Sequence, residues 1–156
     1  MKKQILALAI MLTTAFTSAF AAKSHNNDAK EDGISQYTIA SFKKDFVSAT
    51  NVSWQIQPMY IKVTFTYNAQ VLFAYYNKEN NDLIAVVRNI RTTDLPIHLF
   101  TSLRKEYGGY WITGLFEIAK QDETSYYMTI EKPDETLVLE AKGLNEWNVY
   151  SKTKKD

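Results

Sequence analysis

Two stretches of the chain carry the same order of signals: a short apolar stripe at helical spacing, then four segments in which apolar and polar residues alternate. The helix ends correspond residue by residue, Phe42-Lys43-Lys44-Asp45-Phe46 against Leu103-Arg104-Lys105-Glu106-Tyr107. An internal duplication follows. In the first unit Phe42 and Phe46 lie four apart on one helix face, Lys43, Lys44 and Asp45 take the other, and Ser41 is placed as the N-cap. After Asn51 the period falls to two. Val52, Trp54 and Ile56 alternate with Ser53, Gln55 and Gln57, and Ile61, Val63, Phe65 and Tyr67 alternate with Tyr60, Lys62, Thr64 and Thr66. Val71 to Tyr76 is apolar on both parities, and Leu83 to Ile90 supplies a fourth strand after the turn Asn77 to Asp82.

The second unit opens at Thr93-Asp94-Leu95-Pro96, with proline near the first turn, where its missing N–H is harmless. Its helix is expected to bury Ile97, Phe100, Leu103 and Tyr107 and to end at Gly108-Gly109. Strands are expected at Tyr110 to Ile118, Tyr126 to Ile130, Thr136 to Ala141 and Trp147 to Ser151. One helix cannot cover four strands, so the units are expected to share a core. The predicted class is α+β: a tandem repeat of a helix plus a four-stranded antiparallel meander. Both helices pack on one face of an antiparallel sheet of about eight strands, a size open sheets reach.

Lys2 and Lys3, the apolar run Ile5 to Leu12 and the small residues of Ala19-Phe20-Ala21 make residues 1–21 a signal-peptide pattern. The run is too short and too diluted by Thr13, Thr14, Thr17 and Ser18 for a stable membrane anchor. A periplasmic or secreted location is expected. Residues 22–40 are expected to be a flexible leader, and residues 41–152 one domain of two repeats, 41–91 and 95–152. Without cysteine, disulfides and thiolate metal sites are excluded. With 18 Lys+Arg against 17 Asp+Glu there is no broad basic field for nucleic acid. The tail Lys152-Thr153-Lys154-Lys155 is a solvated end.

An ordered series of residues resembles the exported bacterial PepSY-like proteins, also described as beta-lactamase-inhibitor-like. It comprises Phe42, Phe46, Ala49, Val52 and Trp54, then Val63-x-Phe65, Ala74-Tyr75-Tyr76-Asn77, Leu83-Ile84, Arg88-x-Ile90 and Leu95-Pro96. Tyr107-Gly108-Gly109-Tyr110-x-Ile112 and Tyr126-Tyr127-x-x-Ile130 complete it. Val47 departs from the proline usual in that family, and Asn77 and Asn81 stand in a turn that usually carries Asp and Gly. The resemblance implies a tandem helix-plus-sheet fold like that of the beta-lactamase inhibitor protein and an exported location. It implies no activity, because fold does not carry function.

Catalytic signatures are missing. His25 and His98 lie far apart, no phosphate loop or Gly-x-Ser-x-Gly occurs, and Asn77, Glu79, Asn80, Asn81 and Asp82 read as a turn rather than a calcium loop. No catalytic residue, metal or cofactor is expected. What stands out is aromatic residues on the parity opposite the core: Tyr60, Trp111 and Tyr127, joined by Tyr76. Such rings suit a partner-binding face. Trp54, Phe65, Phe116 and Trp147 are assigned to the core. The expected function is a non-enzymatic binding module, with a protein as partner, inhibitor-like, using the exposed sheet face. The alternative is a carbohydrate or cell-wall-fragment binder using the same rings, and homodimerisation through an edge strand or that face stays open.

Overall fold

The computed structural model describes residues 33–121 and 123–155. The signal-peptide pattern and most of the leader lie outside them. The chain runs α1 (Gln36–Asp45), β1 (Thr50–Ile56), β2 (Tyr60–Tyr67), β3 (Gln70–Asn77) and β4 (Leu83–Asn89). After a 3-10 turn at Thr92–Asp94 come α2 (Ile97–Tyr107), β5 (Trp111–Lys120), β6 (Glu123–Glu131), β7 (Glu135–Lys142) and β8 (Asn148–Lys154). The strands form one eight-stranded sheet in the order β1-β2-β3-β4-β5-β6-β7-β8, every neighbouring pair antiparallel. This is the predicted α+β architecture, two helix-plus-meander units laid edge to edge.

α1 begins five residues before the expected start. Ser35, in extended conformation, accepts a hydrogen bond from the Tyr37 N–H at 3.2 Å and is the N-cap in place of Ser41. The extra turn lets Ile39 join Phe42 and Phe46 at three-four spacing, so residues 36–40, assigned to the leader from sequence, belong to the helix. Thr38 is fully buried and donates its hydroxyl to the Asn81 carboxamide oxygen at 2.9 Å, tying α1 to the β3–β4 turn. Asn77 to Asp82 is the turn expected: the Asn77 side chain accepts from the Glu79 and Asn80 N–H groups, and Asn80 accepts from Asp82. Asn81 sits at φ 62, a left-handed conformation that asparagine tolerates better than most residues.

α2 turns a different face to the sheet than its sequence suggests. Leu99 and Leu103 are buried, Phe100 and Tyr107 flank them, and Ile97 is 78% exposed. Leu95 is inserted in the core just before the helix, while Arg91 and Asp94 close the preceding turn through the Asp94 carboxylate. Pro96 then occupies the N-cap.

Register shows that both helices lie on one side. Leu72, Arg88, Glu117, Tyr126 and Ala141 stand opposite one another in turn across β3 to β7 and therefore share a face. On that face α1 covers Phe65, Val63, Ile61, Ala74 and Tyr76, and α2 covers Leu115, Met128, Ile130, Leu137 and Leu139. The two clusters are separate rather than the single shared core expected from sequence. Between them stand Arg88 and Glu117, joined through two hydrogen bonds of 2.9 and 3.1 Å, with Gln70 accepting from Arg88 at 3.2 Å. Charged groups at the repeat junction keep the apolar clusters apart, while the fork geometry ties β4 to β5.

Candidate functional site

The side of the sheet without helices carries the next feature. Sheets covered on one face usually present polar residues on the other. Here the uncovered face holds a cluster of Tyr75, Ala85, Val87, Phe116 and Tyr127, each at most 3% exposed, bordered by Tyr60, Phe73, Ile84, Ile118, Val138 and Tyr150. Register assembles it across both repeats. Phe73 faces Val87 and Val87 faces Ile118, while Phe116 faces Tyr127 and Tyr127 faces Glu140.

Ring geometry locks these side chains together. Phe116 stacks on Tyr127 with centroids 5.5 Å apart and planes 9° apart, and Tyr150 meets Tyr127 edge-on at 5.7 Å. Tyr60 and Tyr75 pack at 5.5 Å, and the Lys62 ammonium sits 4.6 Å from the Phe73 ring centre. The Tyr127 hydroxyl donates to the Glu140 carboxylate. Burial first, then that hydrogen bond and the negative charge of Glu140, push the Tyr127 hydroxyl far above the usual phenol range. Tyr75 is raised by burial and then by neighbouring Tyr60. Both are thus neutral hydroxyls at physiological pH, donors rather than bases.

Of the residues singled out from sequence, Tyr60, Trp111 and Tyr127 lie on the helix-free side, as their parity indicates. Their environments differ. Trp111 is 66% exposed at the start of β5, Tyr60 is half-buried, and Tyr127 is 3% exposed beneath neighbouring rings. Tyr76 is not on this side. It stands opposite Ile61 on the helix-covered face and is wholly buried under α1. Its strand is apolar on both parities, so hydropathy could not assign the face; only pairing with β2 does. Phe116, assigned to the helix-side core from sequence, is on the helix-free face. The irregularity between Ile112 and Gly114 shifts the register by one residue, so Ile112 and Phe116 point to opposite sides. Phe73, Tyr75 and Tyr150 were missed, although the even alternation of Phe73 and Tyr75 against Leu72 and Ala74 was a usable signal once β2 fixed the parity.

The buried Tyr76 hydroxyl has no hydrogen-bond partner among the described residues. Burial, then the nearby Asp45 charge, holds it well above the ordinary phenol range. An unpaired buried hydroxyl is costly, so Tyr76→Phe is expected to raise stability by roughly 1 kcal/mol. Urea titration reads this as a higher midpoint at unchanged slope. A lower midpoint would mean that the hydroxyl is bonded in solution.

Among the described residues no group of three or more His, Cys, Asp or Glu is placed to hold a metal, and no helix is long and apolar enough to cross a membrane. His98 is exposed on α2.

No protein-family model matches the chain, and no curated protein matches it either. Solved structures do. A DUF2874 family protein from Bacteroides ovatus superposes with a TM-score of 0.67 at 11% identity, over 76% of this chain and 86% of that one. A BLIP-like protein from Bacteroides fragilis gives 0.63 at 14% identity, over 77% and 85%. A Bacteroides eggerthii protein, provisionally described as periplasmic, gives 0.66 at 11% identity, over 77% and 88%. The likeness is one of fold. The beta-lactamase-inhibitor-like architecture expected from the residue series is therefore present.

Proposed function

We propose that the chain is an exported, non-enzymatic binding module of the PepSY-like kind that holds another protein against the helix-free face of its sheet. The observation that carries this reading is that Tyr60, Phe73 and Tyr150 stand partly exposed on that face, with Trp111 66% exposed, over the buried rings of Tyr75, Phe116 and Tyr127, where polar residues are usual. Rings that are already packed lose little freedom on binding, which favours affinity per contact. The BLIP-like neighbour makes inhibition of an enzyme one form of that binding worth testing, and the signal-peptide pattern together with the Bacteroides eggerthii neighbour supports a periplasmic or secreted location.

The test uses the partly accessible rings and leaves the stacked centre intact. Wild-type protein and a Tyr60→Ala/Phe73→Ala/Trp111→Ala variant, matched by circular dichroism, serve as baits for periplasmic and culture-medium proteins. A partner retained by wild type is expected to be lost by the variant. Equal retention by both baits would remove the face as the site. A second reading, binding of a carbohydrate or cell-wall fragment, is favoured by Trp111, whose exposed ring could stack on a sugar. It predicts a saturable change in tryptophan fluorescence with cell-wall fragments that Trp111→Ala abolishes.

A further inference from the structure

Charge on the helix-free face is distributed unevenly between the two repeats. In the second repeat Glu131 is paired with Lys155, Glu140 with Lys142 and the Tyr127 hydroxyl, and Lys120 stands opposite Glu123. In the first repeat Lys62 stands between Gln55 on β1 and Tyr75 on β3, and has no carboxylate partner among the described residues. Its ammonium lies against the Phe73 ring, with Tyr75 and its packing partner Tyr60 alongside. Desolvation lowers its pKa, and among the described residues no anion offsets the burial.

We propose that the partner presents an Asp or Glu side chain, set within an apolar stretch, to Lys62, with the surrounding rings taking the apolar residues; this rests on the reading of the face as the binding surface. An ammonium on an aromatic ring is only partly compensated and keeps donors for a carboxylate. Apolar walls strengthen the pair by excluding water once the surfaces meet. Lys142 and Lys155 on the same face already meet carboxylates of the chain, so Lys62 offers a site for one further carboxylate. A nucleic-acid backbone would need several such uncompensated cations along its track.

The probe is a phage-displayed random dodecapeptide library, selected on the exported protein purified after processing. Enriched peptides are expected to carry an acidic residue flanked by apolar ones. Binding should weaken roughly tenfold or more on Lys62→Met, survive Lys62→Arg, and weaken similarly when the peptide acid becomes its amide. Combining Lys62→Met with the amide peptide should add little further loss, which a purely structural role of Lys62 would not produce. Peptides that lack an acid, or bind Lys62→Met as well as wild type yet fail on the Tyr60/Phe73/Trp111 variant, overturn the carboxylate inference and leave the face as the binding surface. Peptides indifferent to every variant, or no enrichment at all, overturn both.

Discussion

Phe42→Ala is expected to lower stability by about 3–5 kcal/mol, the range for removing a buried aromatic ring from a packed core. Phe42 is 3% exposed and central to the first-repeat cluster. Its ring lies 5.0 Å from Phe65, 5.2 Å from Trp54 and 5.3 Å from Phe46, with the Phe65 and Trp54 contacts edge-on. Deletion therefore leaves a hole and also breaks the ring contacts that hold α1 to β1 and β2. Chemical denaturation with a tryptophan signal measures the loss, because Trp54 reports on this cluster. Phe42→Leu, which keeps most of the volume, should cost less than the alanine change. A loss below about 1 kcal/mol for alanine would mean that α1 is not docked as described.

The second large effect falls on Trp147, which lies just before β8 and is 6% exposed within the cluster under α2. Its indole N–H donates to the Leu99 carbonyl at 2.9 Å, linking the end of the meander to the first turns of α2. Trp147→Ala removes both the ring and that link and is expected to cost about 3–5 kcal/mol. Trp147→Phe keeps a ring but forfeits the hydrogen bond, and should cost less, with roughly 1 kcal/mol of its loss belonging to the bond. Hydrogen exchange offers the sharper check: amides of β8 and α2 should lose protection together in the alanine variant, while those of α1 and β2 keep theirs. Uniform loss throughout the chain would show that the two helix-side clusters unfold as one.

Sequence periodicity located the strands and the class of fold because each strand of β2, β6 and β7 buries alternate residues under a helix. It failed where periodicity carries no unique phase. In β3 the pairing of Val71-Leu72-Phe73-Ala74-Tyr75-Tyr76 with β2 alone decides that Tyr75 faces one way and Tyr76 the other. In β5 a single irregular position reverses the phase and takes Phe116 to the helix-free side. In α2, Leu99 and Leu103 face inward because Leu95 has already anchored the chain, whereas a stripe drawn through Ile97 fits the letters equally well. The start of α1 was readable in principle: Ser35 and Ile39 extend the Phe42–Phe46 stripe backward by one turn. Of the candidate site, the parity of Tyr60, Trp111 and Tyr127 was legible. Their burial was not, because it depends on side chains from strands far apart in the sequence.

The sequential strand order has a kinetic consequence. Each strand pairs with its chain neighbour across a turn, except β4 and β5, whose ends are separated by the whole of α2. That pairing closes the largest loop and is also short, joining Val86 to Asn89 with Phe116 to Ala119. Loop-closure entropy grows with length and must be met before the contacts formed can compensate it. The two meanders can therefore zip independently and early, with the seam between them closing last. Arg88 and Glu117, which face each other there, become the contacts whose formation marks arrival at the native sheet.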